Sequence, residues 1–201
     1  MIRDIVIYGD PVLRKKCPRV TRVTDEIKTL VDDMLETMVA ANGIGLAAPQ
    51  VGVELQLAVI DLAGIGDACT YLRVDGEDVG LDSIMPLVFT NPEITPDKER
   101  EVDTEGCLSF PEIRAEIRRP ASVTASLTLL DGRTVQIVTD GLFSRAIQHE
   151  TDHLNGVLFI DRISSAAKLT MKKKVRRMQE EFGPRLVLEK ARGAGDTPNT
   201  I

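Results

Sequence analysis

Both histidines of the 201-residue chain fall in one short stretch, QHETDHLNG (Gln148 to Gly156), where His149, Glu150 and His153 form H-E-x-x-H. On a helix, residues four apart stand one above the other with Cβ atoms about 5–6 Å apart. Two imidazoles at that spacing can grip one divalent cation, and a glutamate beside them can take a proton from a water held there. The same five-residue pattern also recurs on solvated amphipathic helices. Composition singles it out here, because a chain with only two histidines has placed both in it. Catalytic sites use three protein ligands and leave a fourth position open. With no histidine left, the third ligand must be Cys, Asp or Glu, which excludes the three-histidine metzincin pattern.

Cys107 has the most distinctive setting among the three cysteines. It lies in EGCLSFPE (Glu105 to Glu112), after a glycine and before a Ser-Phe-Pro turn. A lone cysteine is commonly a small buried hydrophobe, but a thiolate is also a competent soft ligand for zinc or ferrous iron. A second stretch, GIGLAAPQ (Gly43 to Gln50), puts two glycines two apart before small residues and a proline. Such a stretch extends a helix badly and lets another backbone come close. It follows a helical pattern and lacks a third glycine, so it is no dinucleotide fingerprint. Gln50 offers an amide donor for a developing oxyanion, although a solvated loop glutamine is the plainer reading.

The elements that must position these residues are legible in part. From Thr24, a stripe of Ile27, Leu30, Val31, Met34, Leu35, Met38 and Val39 predicts a core-packing helix, with Thr24 as N-cap and Asn42-Gly43 at its end. Asp10 to Val20, with Pro11 and Pro18, reads as extended or turning. Gln56 to Leu62 and Pro86 to Thr90 read as strands, separated by a Gly- and Asp-rich segment with a hairpin near Asp75-Gly76. Val123 to Leu130 and Arg133 to Val138 flank a second turn signal, Asp131-Gly132. A helix capped by Thr139 or Asp140 should carry H-E-x-x-H and stop at Gly156. A further helix spans Ser164 to Phe182, and the tail from Ala191 reads as disordered. We expect one catalytic domain over residues 1–190.

Whole-chain properties narrow the classes. Hydrophobic content of 43% and charged content of 28% suit a soluble globular protein. A net charge of −6 argues against DNA as a partner. The first ten residues carry Arg3 and Asp4 and no apolar signal core, and no stretch is long enough to span a bilayer. Three sparse cysteines fit a reducing compartment, so a cytoplasmic protein without a membrane partner is expected.

Three blocks in order, GIGLAAPQ, EGCLS and QHETDHLNG, resemble the signature motifs of the peptide deformylases. Flanking matches at DPVLRKK, NPEI and VLFIDRI extend the resemblance over roughly Met1 to Ile163. It implies an α+β fold in which antiparallel β-structure surrounds a central H-E-x-x-H helix, with one helix towards each terminus. It also implies removal of the N-formyl group from the methionine of nascent polypeptides. By that resemblance Cys107, His149 and His153 hold the metal, and Glu150 is general base and then acid. The Gln50 amide and the Leu108 backbone N–H stabilise the oxyanion. Gly45 hydrogen-bonds the substrate backbone, and Ile44 with Leu142 lines the methionine pocket. Ferrous iron is the metal implied in the cell, with zinc, nickel or cobalt open to the isolated protein. Phe110 stands where a smaller aliphatic residue is frequent, and the segment Ala63 to Met85 is long, so both put the shape of the substrate groove in question.

Two competing readings use the same residues. A zinc endopeptidase would need a downstream glutamate ligand, for which Glu180 and Glu181 are available. A closed structural metal site would need Cys17 or Cys69 as a fourth ligand. The helix Ser164 to Phe182 concentrates Lys168, Lys172, Lys173, Lys174, Arg176 and Arg177 beside too few apolar residues for a broad buried stripe. It should therefore be largely exposed, as a solvated helix end or as a contact for ribosomal RNA.

Overall fold

The computed structural model describes residues 1–186; the tail expected to be disordered from Ala191 lies outside them. The chain order begins with β1 (Ile5–Val6), α1 (Asp25–Ala40), β2 (Gly45–Ala47), β3 (Leu57–Ile60), β4 (Leu72–Val74) and β5 (Glu77–Asp78). It continues through β6 (Leu87–Pro96), β7 (Arg100–Gly106), β8 (Arg114–Pro120), β9 (Ser122–Thr128) and β10 (Thr134–Asp140). It closes with α2 (Gly141–Leu154), α3 (Ser165–Phe182) and β11 (Arg185–Leu186). Every strand pairing is antiparallel. Seven strands form one sheet in the order β2-β3-β6-β9-β10-β4-β5, while β7-β8 and β1-β11 make two-stranded sheets. This is the α+β architecture anticipated from the sequence.

Helix α2 packs against β2, β3, β9 and β10 of the large sheet. Phe143, Ala146, Ile147 and Leu154, at helical spacing, enter one core with Ala58, Ile60, Phe89, Ala125, Leu127 and Ile137 from the strands. The alternation in β9 and β10 follows the pleat, with Val123, Ala125, Leu127, Val135 and Ile137 buried. Helix α1 covers the other face of β2 and β3 through Leu30, Val31, Met34 and Met38. Val39, read from sequence as part of that stripe, is instead 66% exposed. It lies in the last turn, where the helix runs into the Asn42 left-handed residue (φ 54°) and its face no longer meets the sheet.

Several boundaries differ from the sequence reading. Residues Pro11–Arg14 form a 3-10 turn capped by Asp10, whose carboxylate accepts from the Val12 N–H. The strand expected at Pro86 to Thr90 runs on to Pro96, with a register irregularity between Thr90 and Glu93 where Asn91 takes φ 51°. The β4-β5 hairpin turns at Asp75 (φ 52°) and Gly76 (φ 92°), as the dipeptide predicted. The β7-β8 hairpin was not anticipated, because REVDTEG and RAEIRRP are too charged to show an alternating apolar face. Helix α3 docks by a narrow stripe: Met171 and Met178 are buried, Val175 is half-buried, and the lysines face solvent.

Candidate metal centre

Cys107 is distant in sequence from His149 and His153, yet the three meet in one buried group, their ligand atoms all within 4.8 Å of one another. Each is 1% exposed. The elements that deliver them differ. His149 and His153 project from one face of α2, four residues apart as the motif required. Cys107 follows β7 immediately, in a turn closed by the Phe110 N–H donating to the Cys107 carbonyl (2.8 Å). Its Sγ lies 3.2 Å from His153 Nε2. H-E-x-x-H is thus no solvated helix face.

The donor set fits a divalent cation. His149 Nδ1 is 3.1 Å from Glu105 Oε2. Burial works against charge on Glu105, but hydrogen bonds from His149 and Arg119 outweigh it and hold the carboxyl well below its ordinary range. An ionised carboxylate has no proton to give, so His149 Nδ1 is the donor and Nε2 is the atom left to face a cation. That Nε2 is buried without any protein partner, as expected of a ligand atom. The two imidazoles are held unequally, since His153 Nδ1 has no protein partner. Burial also pushes the Cys107 thiol up and the His153 imidazole down. Thiolate and neutral imidazole are the metal-binding forms, and a cation between them supplies the charge that a buried thiolate otherwise lacks.

Glu150 lies one residue round the helix, on the side facing β2. It is fully buried, and both carboxylate oxygens lack a protein partner. Burial raises its pKa well above the ordinary range. The two glycines of GIGLAAPQ make room on this side. A Cβ on Gly45 would overlap the Glu150 carboxylate, and one on Gly43 would sit 2.8 Å from Leu108 Cδ1. Gln50 is not a solvated loop residue. At 1% exposure, its Oε1 accepts from the Ala47 N–H (2.8 Å). Its Nε2 points to Cys107 Sγ (3.5 Å) and Ser109 Oγ (3.4 Å). Leu108 packs with Met34, Met38 and Leu46, which fixes the backbone beside Cys107. Ile44 and the half-buried Leu142 belong to the core around α2.

The structure places both features that the sequence set beside the groove. The Phe110 ring packs inward, stacked on Tyr8 at 4.8 Å and edge-on to Phe159 at 5.0 Å. The long segment after β3 folds back on α2. Asp140, at the N-cap position, binds the Thr70 N–H (2.7 Å) and hydroxyl, while the Phe143 N–H donates to the Ala68 carbonyl (3.0 Å). Of the candidates for rival sites, Glu180 is exposed and paired with Arg176 (2.8 Å). Cys17 and Cys69 lie outside the Cys–His–His group.

The residues missed from sequence are the charged ones behind the ligands. Arg119 grips Glu105 through Nε (2.6 Å) and Nη2 (2.9 Å) and reaches Asp152 through Nη1 (2.7 Å). Asp152 also receives Arg162. Arg145 donates to Glu105 Oε1 (2.7 Å), the Ile117 carbonyl (3.1 Å) and Glu101 (3.2 Å). Glu105 and Asp152 sit inside the quoted motifs, so position was the only available signal.

The comparisons agree with this geometry. The family profile described as Polypeptide deformylase matches residues 2–169. A peptide deformylase of Opitutus terrae is 48% identical over 166 residues, covering 82% of this chain and 86% of its own. Peptide deformylase 1 of Clostridium acetobutylicum is 45% identical over 165 residues, covering 82% and 97%. Among solved structures, a peptide deformylase from Synechococcus elongatus in complex with actinonin superposes with a TM-score of 0.71 at 39% identity, covering 90% of this chain and 86% of that one. One from Thermotoga maritima gives 0.68 at 40% identity, covering 82% and 99%. With its motifs, its fold and nearly its whole length in common with these proteins, the chain belongs to the polypeptide deformylase family.

Proposed function

We propose that the chain is a metal-dependent hydrolase that removes the N-formyl group from the N-terminal methionine of nascent polypeptides and releases formate. The observation that carries this reading is the buried convergence of Cys107, His149 and His153 beside Glu150 and Gln50. The family is metal-dependent, and we assign these three side chains as the ligands. A bound divalent cation would polarise the formyl carbonyl and bring the pKa of a water towards neutrality.

The remaining chemistry falls to the chain's own groups. Glu150, buried and with a raised pKa, is suited to accept a proton from the attacking water and return it to the departing amine. The Gln50 Nε2 amide and the Leu108 backbone N–H are our donors to the tetrahedral oxyanion. Strand β2 is the edge of the large sheet, so the backbone around Gly45 can pair with an extended peptide laid along it. Gly45 has no side chain between that peptide and Glu150. Ile44 and Leu142 supply apolar surface for the methionine side chain. An endopeptidase is disfavoured because the third ligand is a thiol and the downstream glutamates are on an exposed helix face.

Iron(II) is our choice of metal in the cell, with zinc, nickel or cobalt able to occupy the isolated protein, since thiolate and imidazole accept all of them. We place the enzyme in the cytoplasm as one catalytic domain; no helix among the described residues is long and apolar enough to cross a membrane. The exposed cations of α3 are our candidate contact to ribosomal RNA. The test is hydrolysis of N-formyl-Met, N-acetyl-Met and internally cleavable peptides, with bound metal quantified under anaerobic conditions. Release of formate from the first alone is expected; cleavage of the internal bond would overturn the reading.

A further inference from the structure

Arg145 sits one helical turn before His149 on α2, and the two share a single carboxylate. Arg145 Nη1 takes Glu105 Oε1 at 2.7 Å, and His149 Nδ1 takes Oε2 at 3.1 Å. The other end of the guanidinium reaches Glu101 Oε1 at 3.2 Å. Glu101 and Glu105 are four apart on β7, hence on the same face of the strand. One guanidinium therefore ties the metal-motif helix to two points along the strand that ends at Cys107.

We propose that Arg145 is a positioning residue that sets the metal affinity of the site by fixing the slide of β7 against α2 and the rotation of the His149 ring. The proposal rests on the reading of Cys107, His149 and His153 as ligands. A shift of β7 along its own axis carries Cys107 away from the two histidines, and Glu101 and Glu105 are the handles that resist it. Rotation of the Glu105 carboxylate would turn the His149 ring out of the site, and Arg145 shares with Arg119 the oxygen opposite the histidine. Arg119, on β8, grips the same carboxylate and also reaches α2 at Asp152, but it meets β7 at Glu105 alone, whereas Arg145 adds the second point at Glu101. The guanidinium is 1% exposed, so the geometry is not loosened by water.

The structure also indicates that removal of Arg145 need not unfold the protein. Glu105 keeps its bidentate partner Arg119, and Glu101, 39% exposed, can be solvated. The experiment measures Co²⁺ affinity of the metal-free protein and the visible absorption of the Co²⁺ complex, for wild type, Arg145→Met, Arg145→Lys and Glu101→Gln. Arg145→Met should weaken Co²⁺ binding about 10-fold, the lower end of what loss of an outer partner of a ligand costs, because Arg145 acts one contact further out through Glu105, and should alter the spectrum. Arg145→Lys, which keeps the charge on one contact, should recover part of that loss, and Glu101→Gln should lose less than about tenfold. Met178→Ala is the control: it loosens α3 and should lower Tm without moving Co²⁺ affinity.

A folded Arg145→Met with wild-type affinity and spectrum would reduce Arg145 to a packing residue and overturn the proposal. If Arg145→Met does not fold, unchanged binding in both Arg145→Lys and Glu101→Gln overturns it equally. Failure of the wild type to bind Co²⁺ through Cys107 and the histidines would remove the metal reading itself, and this proposal with it.

Discussion

Helices α2 and α3 are both rich in charge and handle it in opposite ways. Along α2, Arg145, His149, Glu150, Asp152 and His153 are all buried. Along α3, the lysines and arginines face water, and only a stripe through Met171 and Met178 is packed. Burying Arg145 and Asp152 on α2 is tolerable because cations and carboxylates neutralise one another at hydrogen-bond distance, around Glu105 and Asp152, whereas Glu150 has no such partner and burial raises its pKa. Such pairs are a poor source of stability but a strict specification of geometry. An exposed pair such as Arg176–Glu180 specifies little. Change on α2 should therefore register as lost chemistry, and change on α3 as loosened docking or a lost partner.

The comparison breaks most completely at the ligands. Cys107→Ser should lose bound metal and deformylation together, whereas Cys17→Ser and Cys69→Ser keep both; metal analysis beside formate release decides it. A fully metallated Cys107→Ser would mean the third ligand is elsewhere.

Next in size is Glu150→Gln. The amide keeps the volume and leaves the ligands in place, so metal stays bound while turnover falls by at least about 10²–10⁴-fold, the usual contribution of general acid–base catalysis. Near wild-type turnover in this variant would end the assigned mechanism. Gln50→Ala should also retain metal and cost about 10²–10³-fold in kcat, as loss of one oxyanion donor does. If kcat holds and only KM moves, Gln50 positions substrate and does not stabilise the oxyanion.

Two changes on α3 sharpen the other side. Met178→Ala empties a buried site and should destabilise by about 2–5 kcal/mol, by analogy with other large-to-small core changes. Chemical denaturation reads this directly, and kcat below the transition should stay within about twofold. Reversing Lys172, Lys173 and Lys174 to glutamate should leave Tm and hydrolysis of a short formyl-Met peptide unchanged. It should also weaken salt-sensitive co-sedimentation with ribosomes. Unchanged co-sedimentation would leave α3 as a solvated helix end.

The linear sequence was sufficient to pick out the residues that meet at the site and most of the local elements that carry them. The i, i+4 spacing of two scarce histidines requires a helix if both are to meet one cation, and Gly156 marks its stop, while Asp140 holds the N-cap position without a side-chain cap bond. The period of α1, the hairpin dipeptides and the small residues of GIGLAAPQ are local signals of the same kind. What they could not express is how Cys107 and Gln50 come to stand beside the histidines. They also could not show why a helix carrying five charged or titratable residues should be buried.

Those outcomes were decided only by tertiary structure. The carboxylate of Glu105 meets arginines 14 and 40 residues away, and Asp152 meets one 33 residues away. Apolar periodicity is silent on such contacts, because each charge taken alone predicts exposure. The β7-β8 hairpin went unread for the same reason: its buried residues include Glu105 and Arg119 in place of an alternating apolar face. Val39 is the converse, apolar yet exposed, while Phe110 is buried against Tyr8 and Phe159. Burial belongs to the assembled surfaces that meet at a residue, and a side chain's own polarity fixes it only when no partner of opposite charge is folded against it.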